Sequence, residues 1–347
     1  MDFYSGNLAS TETSGIIHRG PFSWPYPQNP QSPFWGPPNS AANFCEEDYI
    51  ITSYIAEFVN TLTNLTYIFY AYQGMRKNSN RPDALLRNLP YLGLASVGIG
   101  SGLFHSTLKN YTQWGDELSM LVATATVLHR LFTFDKSLAY TAVYGTIGTA
   151  LMVAFITWHC ITDELIMHSV VFAIMIAIVG VKTHSMIGAR VTDPAVQRDV
   201  KSLSIWGGVI FIGGFGIWNI DNATCGILTT AKRTIGMPWS FVLELHGWWH
   251  VCTGVGAYIF IALVEYLTSE EAGQSLGSRF AWPVGYFITG RSSDVKENRN
   301  RNQKYSNGKS SEMTNGNGAT KITENGYANS NENDHGCAGG ARQKKTC

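Results

Sequence analysis

From about residue 50 to residue 268 the chain alternates long apolar stretches with short polar connections. A helix of about 20 apolar residues crosses the hydrocarbon core of a bilayer, where only helices and closed barrels satisfy their own backbone hydrogen bonds. Seven stretches of that kind follow one another, at about 53–72, 89–108, 113–134, 138–158, 164–182, 203–220 and 245–267. Little charged amphipathic surface lies between them. The pattern predicts an all-α, polytopic membrane protein, a seven-transmembrane helix bundle. Alternate connections carry the basic residues: Arg76, Lys77, Arg81 and Arg87, then Arg130 and Lys136, then Lys182, Arg190, Arg198 and Lys201. The intervening connections hold Lys109, then none, then Lys232 and Arg233. Basic loops stay cytosolic, so the N-terminus is expected in the lumen or outside and the C-terminus in the cytosol.

The ends differ from the middle. The first fifty residues are polar, aromatic and rich in Pro, with no apolar signal-peptide core, so the first span is expected to target the chain. After about residue 288 the chain is Asn, Ser, Gly, Lys and Glu, which bury too little surface to offset chain entropy, and a disordered tail is expected. The expected division is a lumenal segment over 1–52, a transmembrane catalytic domain over 53–268 and a cytosolic tail over 269–347. Only 14% of residues are charged and the net charge is zero, which gives no case for a nucleic-acid partner. The final Lys344-Lys345-Thr346-Cys347 reads either as a dilysine signal, by which coat proteins retrieve cargo to the endoplasmic reticulum, or as the chance basic end of a Lys-containing tail. Cys45 and Cys225 both fall on the predicted lumenal side, where disulfides persist, although spacing alone does not pair them.

Imidazoles and carboxylates inside a membrane are costly and are functional candidates by default. His246 and His250 lie four apart, on one helical face. Alone, that spacing suits either a zinc site or two histidines satisfied by polar neighbours. His105, near the lumenal end of the second span, falls at the same depth, because the last span starts at the lumenal face. Three protein ligands with an open position are the usual catalytic zinc arrangement. Ser101 is one turn from His105 on the same face. Asp116, opening the third span, can take a proton from a metal-activated water. His129, His159, His168 and His184 lack partners at helical spacing and read as interfacial or structural; His18 and His335 sit in polar ends. Asp221 either orients a ligand imidazole or caps the sixth span.

Before the first span stand Asn43, Glu46, Glu47 and Asp48, followed by a stripe of Glu57, Asn60, Thr61 and Asn64 at i, i+3, i+4 and i+7. Carboxylate and amide oxygens clustered on a loop suit calcium, or equally an acidic, solvated loop.

The segments CEEDY (45–49), YIAEF with N60, T61 and N64, GIGSGLFHSTL (98–108), Q113 with DELSM (116–120), WNIDN (218–222) with C225, and ELHGWWHVCTGVGAY (244–258) resemble the alkaline ceramidase family over about residues 35–267. The resemblance implies zinc-dependent hydrolysis of the ceramide amide to a sphingoid base and a fatty acid, in endoplasmic reticulum or Golgi membranes. By resemblance the zinc ligands are His105, His246 and His250, and the catalytic pair is Ser101 and Asp116. The implied calcium ligands are Asn43, Phe44 through its main-chain carbonyl, Glu46, Asp48 and Glu57, and the implied disulfide is Cys45 with Cys225. The family commonly has Asp and Trp where this chain has Asn43 and Phe44, and Asn where it has Asp48. The Asp–Asn exchange preserves total ligand charge. The expected partners are a ceramide lipid and the bilayer. The competing expectations are an adiponectin-receptor-like seven-helix zinc receptor and a related membrane lipid-remodelling hydrolase acting on an ester. The acidic loop joined to YIAEF, with the DEL block, favours the ceramidase.

Overall fold

The computed structural model describes residues 22–81, 83–277 and 280–288; the tail with Lys344 and Lys345, like His18 and His335, lies outside the described residues. The helices are α1 (Phe58–Thr63), α2 (Leu65–Asn78), α3 (Ala84–Thr107), α4 (Asn110–Thr133), α5 (Leu138–Thr162), α6 (Leu165–Arg190), α7 (Pro194–Ile235) and α8 (Leu245–Leu267), with a 3-10 turn at Trp239–Leu243 ahead of α8. Among the described residues there is no strand, only two isolated bridges, Trp24 with Met237 and Thr52 with Ile55. Four helices, α5 to α8, are long and apolar enough to cross a membrane. Their outward faces are hydrophobic: Leu138, Ile147, Leu151, Ile161, Ile166, Val181 and Ile212 are all exposed. Apolar surface of that extent calls for lipid rather than water.

Two elements depart from the hydropathy pattern. The first span was expected as one helix over 53–72, but helix begins only at Phe58 and breaks at Asn64. Residues of the polar stripe bend the backbone there. The Thr63 hydroxyl bonds the carbonyls of Val59 and Asn60, and the Asn64 amide reaches back to the Asn60 carbonyl. Side chains entering the helical ladder are a usual cause of such kinks. The sixth span was expected to stop near 220. Instead α7 runs to Ile235, bent at Thr224 (φ −117°, ψ 15°). Hydropathy marks where the apolar solvent ends, and the backbone stays helical beyond it.

The helices pass between two poles. At one, basic side chains gather on the end of α8 and the chain after it: Arg130 bonds the Thr268 hydroxyl and carbonyl, Arg190 the Ser269 carbonyl, and Arg81 pairs with Glu271. The core between the poles is packed around Tyr67, Tyr70, Tyr91 and Tyr258, with Tyr70 stacked on Tyr258 at 4.8 Å. The Tyr91 hydroxyl donates to Glu265 at 2.6 Å. Close helix approach matters most on α3. A Cβ at Gly98 would lie 2.9 Å from the Asn64 carbonyl oxygen, and one at Gly100 would lie 2.8 Å from the Gly115 carbonyl oxygen. Small residues let membrane helices meet backbone to backbone. Here they set Ser101 beside the start of α4.

Candidate metal centre

The other pole collects the polar candidates. His105 comes from the last turn of α3, and His246 and His250 from the first two turns of α8. All three are buried, and one nitrogen from each lies within 4.8 Å of the others. Ring centroids are 4.9 Å apart for His105–His246, 4.8 Å for His105–His250 and 4.6 Å for His246–His250. Among the described residues this is the one such group of His, Cys, Asp and Glu.

The free nitrogens test whether a metal fits. His105 turns Nδ1 to the Glu57 carboxylate and leaves Nε2 buried with no partner. His250 turns Nδ1 to the Thr63 hydroxyl at 2.9 Å. His246 has a buried, unpartnered Nδ1. Buried polar atoms without partners are rare and call for an explanation. Imidazoles fixed through one nitrogen and free at the other are how proteins present ligands to a metal. Three buried imidazoles with ligand nitrogens within 4.8 Å of one another, two of them carrying an orphaned nitrogen (His105 Nε2 and His246 Nδ1), therefore fit a divalent ion.

Ser101 is buried one turn before His105, and the Asp116 carboxyl hydrogen-bonds the Ser101 side chain. The predicted pair is thus brought together on the face of α3 that carries His105. Next to this pair, from Trp249 and Thr253 of α8 onward, lies a cavity of about 250 Å³ with almost wholly apolar walls from α2, α3, α4, α6, α7 and α8, among them Val97 and Met120.

A family model for ceramidases matches residues 36–290, most of the described chain. The chain belongs to the ceramidase family. An alkaline ceramidase of Saccharomyces cerevisiae is 32% identical over 280 residues, covering 76% of this chain and 87% of the yeast protein. Alkaline ceramidase 3 of Mus musculus is 30% identical over 240 residues, covering 67% of this chain and 85% of the mouse protein.

In this ceramidase the loop ahead of α1 is fastened beside the histidines. Cys45 and Cys225 form a disulfide, with Cα atoms 5.2 Å apart. The Lys232 ammonium, fully buried, bonds the Cys45 carbonyl at 2.9 Å and the Glu244 carboxylate at 2.8 Å. Asp221 accepts from the Cys45 N–H at 3.3 Å and faces the N–H groups of Leu245 and His246. Of its two expected roles it takes neither as drawn, since it supports the start of α8 rather than an imidazole or the end of the sixth span. Asn43 and Asp48 touch side chain to side chain at 3.1 Å, and Asp48 Oδ1 is buried without a partner. Glu57 accepts from the Phe44 N–H at 3.3 Å and is an electrostatic neighbour of Asp48. The structure therefore groups Asn43, Phe44, Asp48 and Glu57. The Glu46 carboxylate, an electrostatic neighbour of Glu57, binds the N–H groups of Val59 and Asn60 at 2.7 and 2.8 Å in the first turn of α1. Burial, then the Glu244 and Glu57 carboxylates, hold the Glu46 carboxyl well above its usual range, and burial raises that of Asp48. Such a cluster of carboxyl groups is relieved by a cation.

Several contacts at this ceramidase site carry no sequence signal. Glu57 stood out as a stripe residue, but its bond to His105 depends on a loop fold that spacing does not fix. His159 and His168, expected at an interface or in a structural role, are buried. They converge on Glu117: His159 Nε2 meets its carboxylate at 2.7 Å and His168 Nε2 meets its carbonyl at 2.9 Å. Gln113 joins that network by donating to Glu117 at 2.9 Å, while its carbonyl oxygen accepts from Ala41 at 2.8 Å. These bonds pin the start of α4, where Asp116 sits, and they fit the structural role. His184 is exposed.

Proposed function

We propose that the chain is a zinc-dependent alkaline ceramidase that hydrolyses the N-acyl amide of ceramide inside the membrane, releasing a sphingoid base and a fatty acid. The observation that carries it is three buried imidazoles with nitrogens facing one another at the head of an apolar cavity. The site lies where a lipid amide would arrive. We place the lipid entrance between α6 and α7, where a Cβ at Gly180 or Gly208, both in the cavity wall, would meet nothing within 4 Å and Ile212 is exposed. Hydrocarbon chains enter there while the amide reaches the histidines.

A zinc ion held by His105, His246 and His250 supplies Lewis acidity and an acidified water. The chain supplies the rest. Asp116 takes the proton from the water that attacks the amide carbon and hands it to the departing nitrogen. Once Asp116 carries that proton, the Ser101 hydroxyl it held is free to donate to the oxygen on which charge develops. Glu57 and Thr63 fix the imidazoles that hold the ion. Calcium is assigned to the neighbouring loop, through Asn43, the Phe44 carbonyl, Asp48 and Glu57, with Glu46 supporting it from the first turn of α1.

The two poles set the orientation in this reading. The basic pole is cytosolic and the histidine pole lumenal, with α1 and α2 serving as one broken crossing among seven over 53–268. Residues 1–52 are then lumenal and 269–347 cytosolic, in endoplasmic reticulum or Golgi membranes, with Lys344 and Lys345 as the retrieval signal. The test is mass-spectrometric detection of free sphingoid base from purified protein, with and without a zinc chelator, and with His105→Ala and Asp116→Asn. Loss of zinc and turnover together in His105→Ala, with Asp116→Asn retaining zinc but slowed by roughly 10²–10⁴-fold, is expected. Undiminished turnover by protein from which metal analysis shows the zinc has been removed would refute the metal assignment.

A further inference from the structure

Phe44 was assigned through its main-chain carbonyl, but its side chain leaves the cation loop and lies on the histidines. The ring is tilted onto His246 with centroids 3.7 Å apart, 5.3 Å from His105 and 6.2 Å, edge-on, from Phe104. The His246 contact is closer than the roughly 4.5–7 Å usual for aromatic pairs. The ring is also tethered. The Phe44 N–H bonds Asn43 Oδ1 at 2.8 Å and the Glu57 carboxylate at 3.3 Å. The next residue, Cys45, is joined to α7 by its disulfide and by Asp221.

Order along α8 shows what this ring separates. His246 is in the first turn and His250 in the second. The cavity begins at Trp249 and Thr253 and continues past Ala257 to Ile261. Phe44 therefore covers the histidines at the end away from the cavity. Immediately beyond it Asn43 is exposed, and Phe44 itself is only half-buried. One ring stands between water and the imidazoles on that side, and hydrocarbon-lined space stands on the other.

We propose that the Phe44 side chain is a specificity element that closes the aqueous approach to the centre to anything larger than water, so that only amides delivered through the cavity between α6 and α7 react. This rests on the proposed function above. Short-acyl amides dissolved in water are then excluded because the ring occupies their route. Long-chain amides bypass it, since their chains enter from the lipid side. The ring also bars dissolved chelators from the ion, so the metal exchanges slowly.

The test compares the full chain with Phe44→Ala, Phe44→Leu and Phe44→Trp, all of which keep the main-chain carbonyl assigned to the cation. Two readouts are needed: the ratio of kcat/KM for a short-acyl, water-soluble amide to that for a long-acyl ceramide, and the rate at which a water-soluble chelator removes zinc. Phe44→Ala is expected to raise the ratio by roughly tenfold or more, the scale of one altered pocket contact, and to speed zinc loss. Phe44→Leu should fall between, and Phe44→Trp should restore both. Should Phe44→Ala fail to fold, the graded Leu and Trp variants decide. Equal losses on both substrates with unchanged zinc release, in metal-replete protein, would overturn the specificity role alone. Wild-type protein that contains no zinc would overturn the metal reading and this inference with it.

Discussion

Gly100→Ala isolates the geometry of the Ser101–Asp116 pair from everything else at the site. Gly100 precedes Ser101 and packs on Gly115, which precedes Asp116, so this crossing of α3 and α4 fixes how the two side chains meet. The added Cβ would lie 2.8 Å from the Gly115 carbonyl oxygen, 3.1 Å from its carbonyl carbon and 3.3 Å from the Ser119 hydroxyl. A comfortable carbon-to-oxygen contact is about 3.3–3.6 Å, so the helices must part by roughly 0.5–0.8 Å. Overpacking of this kind costs about 1–3 kcal/mol. Alanine in place of glycine inside a helix returns about 1 kcal/mol. The net loss of stability is therefore small. Catalysis is less forgiving, since a displacement near 1 Å costs about 10²-fold. The expected outcome is a fall in kcat of about 10–10²-fold, with zinc content retained and the melting temperature slightly lowered. Gly115→Ala is the control, because its Cβ would meet nothing within 4 Å. The assay is sphingoid base release beside zinc analysis and a thermal melt in detergent. Unchanged kcat in Gly100→Ala would show that the crossing does not set the pair. Loss of zinc along with rate would show that Gly100 matters to the whole fold instead.

Three further outcomes are expected. Glu57→Gln removes the carboxylate that orients His105, so zinc affinity should fall by roughly 10–100-fold, read by titration against a competing chelator; unchanged affinity would leave Glu57 with the calcium loop alone. Lys232→Ala leaves Glu244 buried without its partner and frees the Cys45 carbonyl, which should cost about 3–5 kcal/mol, seen as a large drop in melting temperature; a melt like wild type would mean that water reaches Glu244. Gly208→Phe should fill the open side of the cavity and raise KM for long-acyl ceramide, while zinc content stays constant; equal KM would place lipid entry elsewhere.

Much of the molecule was legible from residue type and spacing. Apolar stretches marked α5 to α8, the four helices long and apolar enough to cross a membrane, because such helices stay apolar along their length. The same signal misjudged the limits of α1 and α7. Thr63 and Asn64 spend their polar atoms on backbone carbonyls, which breaks a helix that hydropathy alone draws as continuous. Residues past 220 stay helical although the apolar run has ended. The spacing of His246 and His250, with His105 at matching depth, anticipated the cluster of three imidazoles because helical period and topology decide which imidazoles meet. Their partners were not legible. Glu57 reaches His105 across a loop, and Thr63 reaches His250 only because of the kink at Asn64. The seating of Glu46 on α1 was hidden for the same reason: an acidic residue before a helix is equally suited to binding a cation or capping the helix, and only the fold chooses.

The disulfide partners stand 180 residues apart, and the three imidazoles come from α3 and from the last helix. A chain emerging from the ribosome folds its early segments first, so the reactive cluster stays unassembled through nearly all of synthesis. A polypeptide interrupted before Leu245 would lack two of the three nitrogens that face one another here. On the proposed chemistry, unfinished copies would be inert toward the lipids around them, and the membrane would meet a working hydrolase only after the final helix has been inserted.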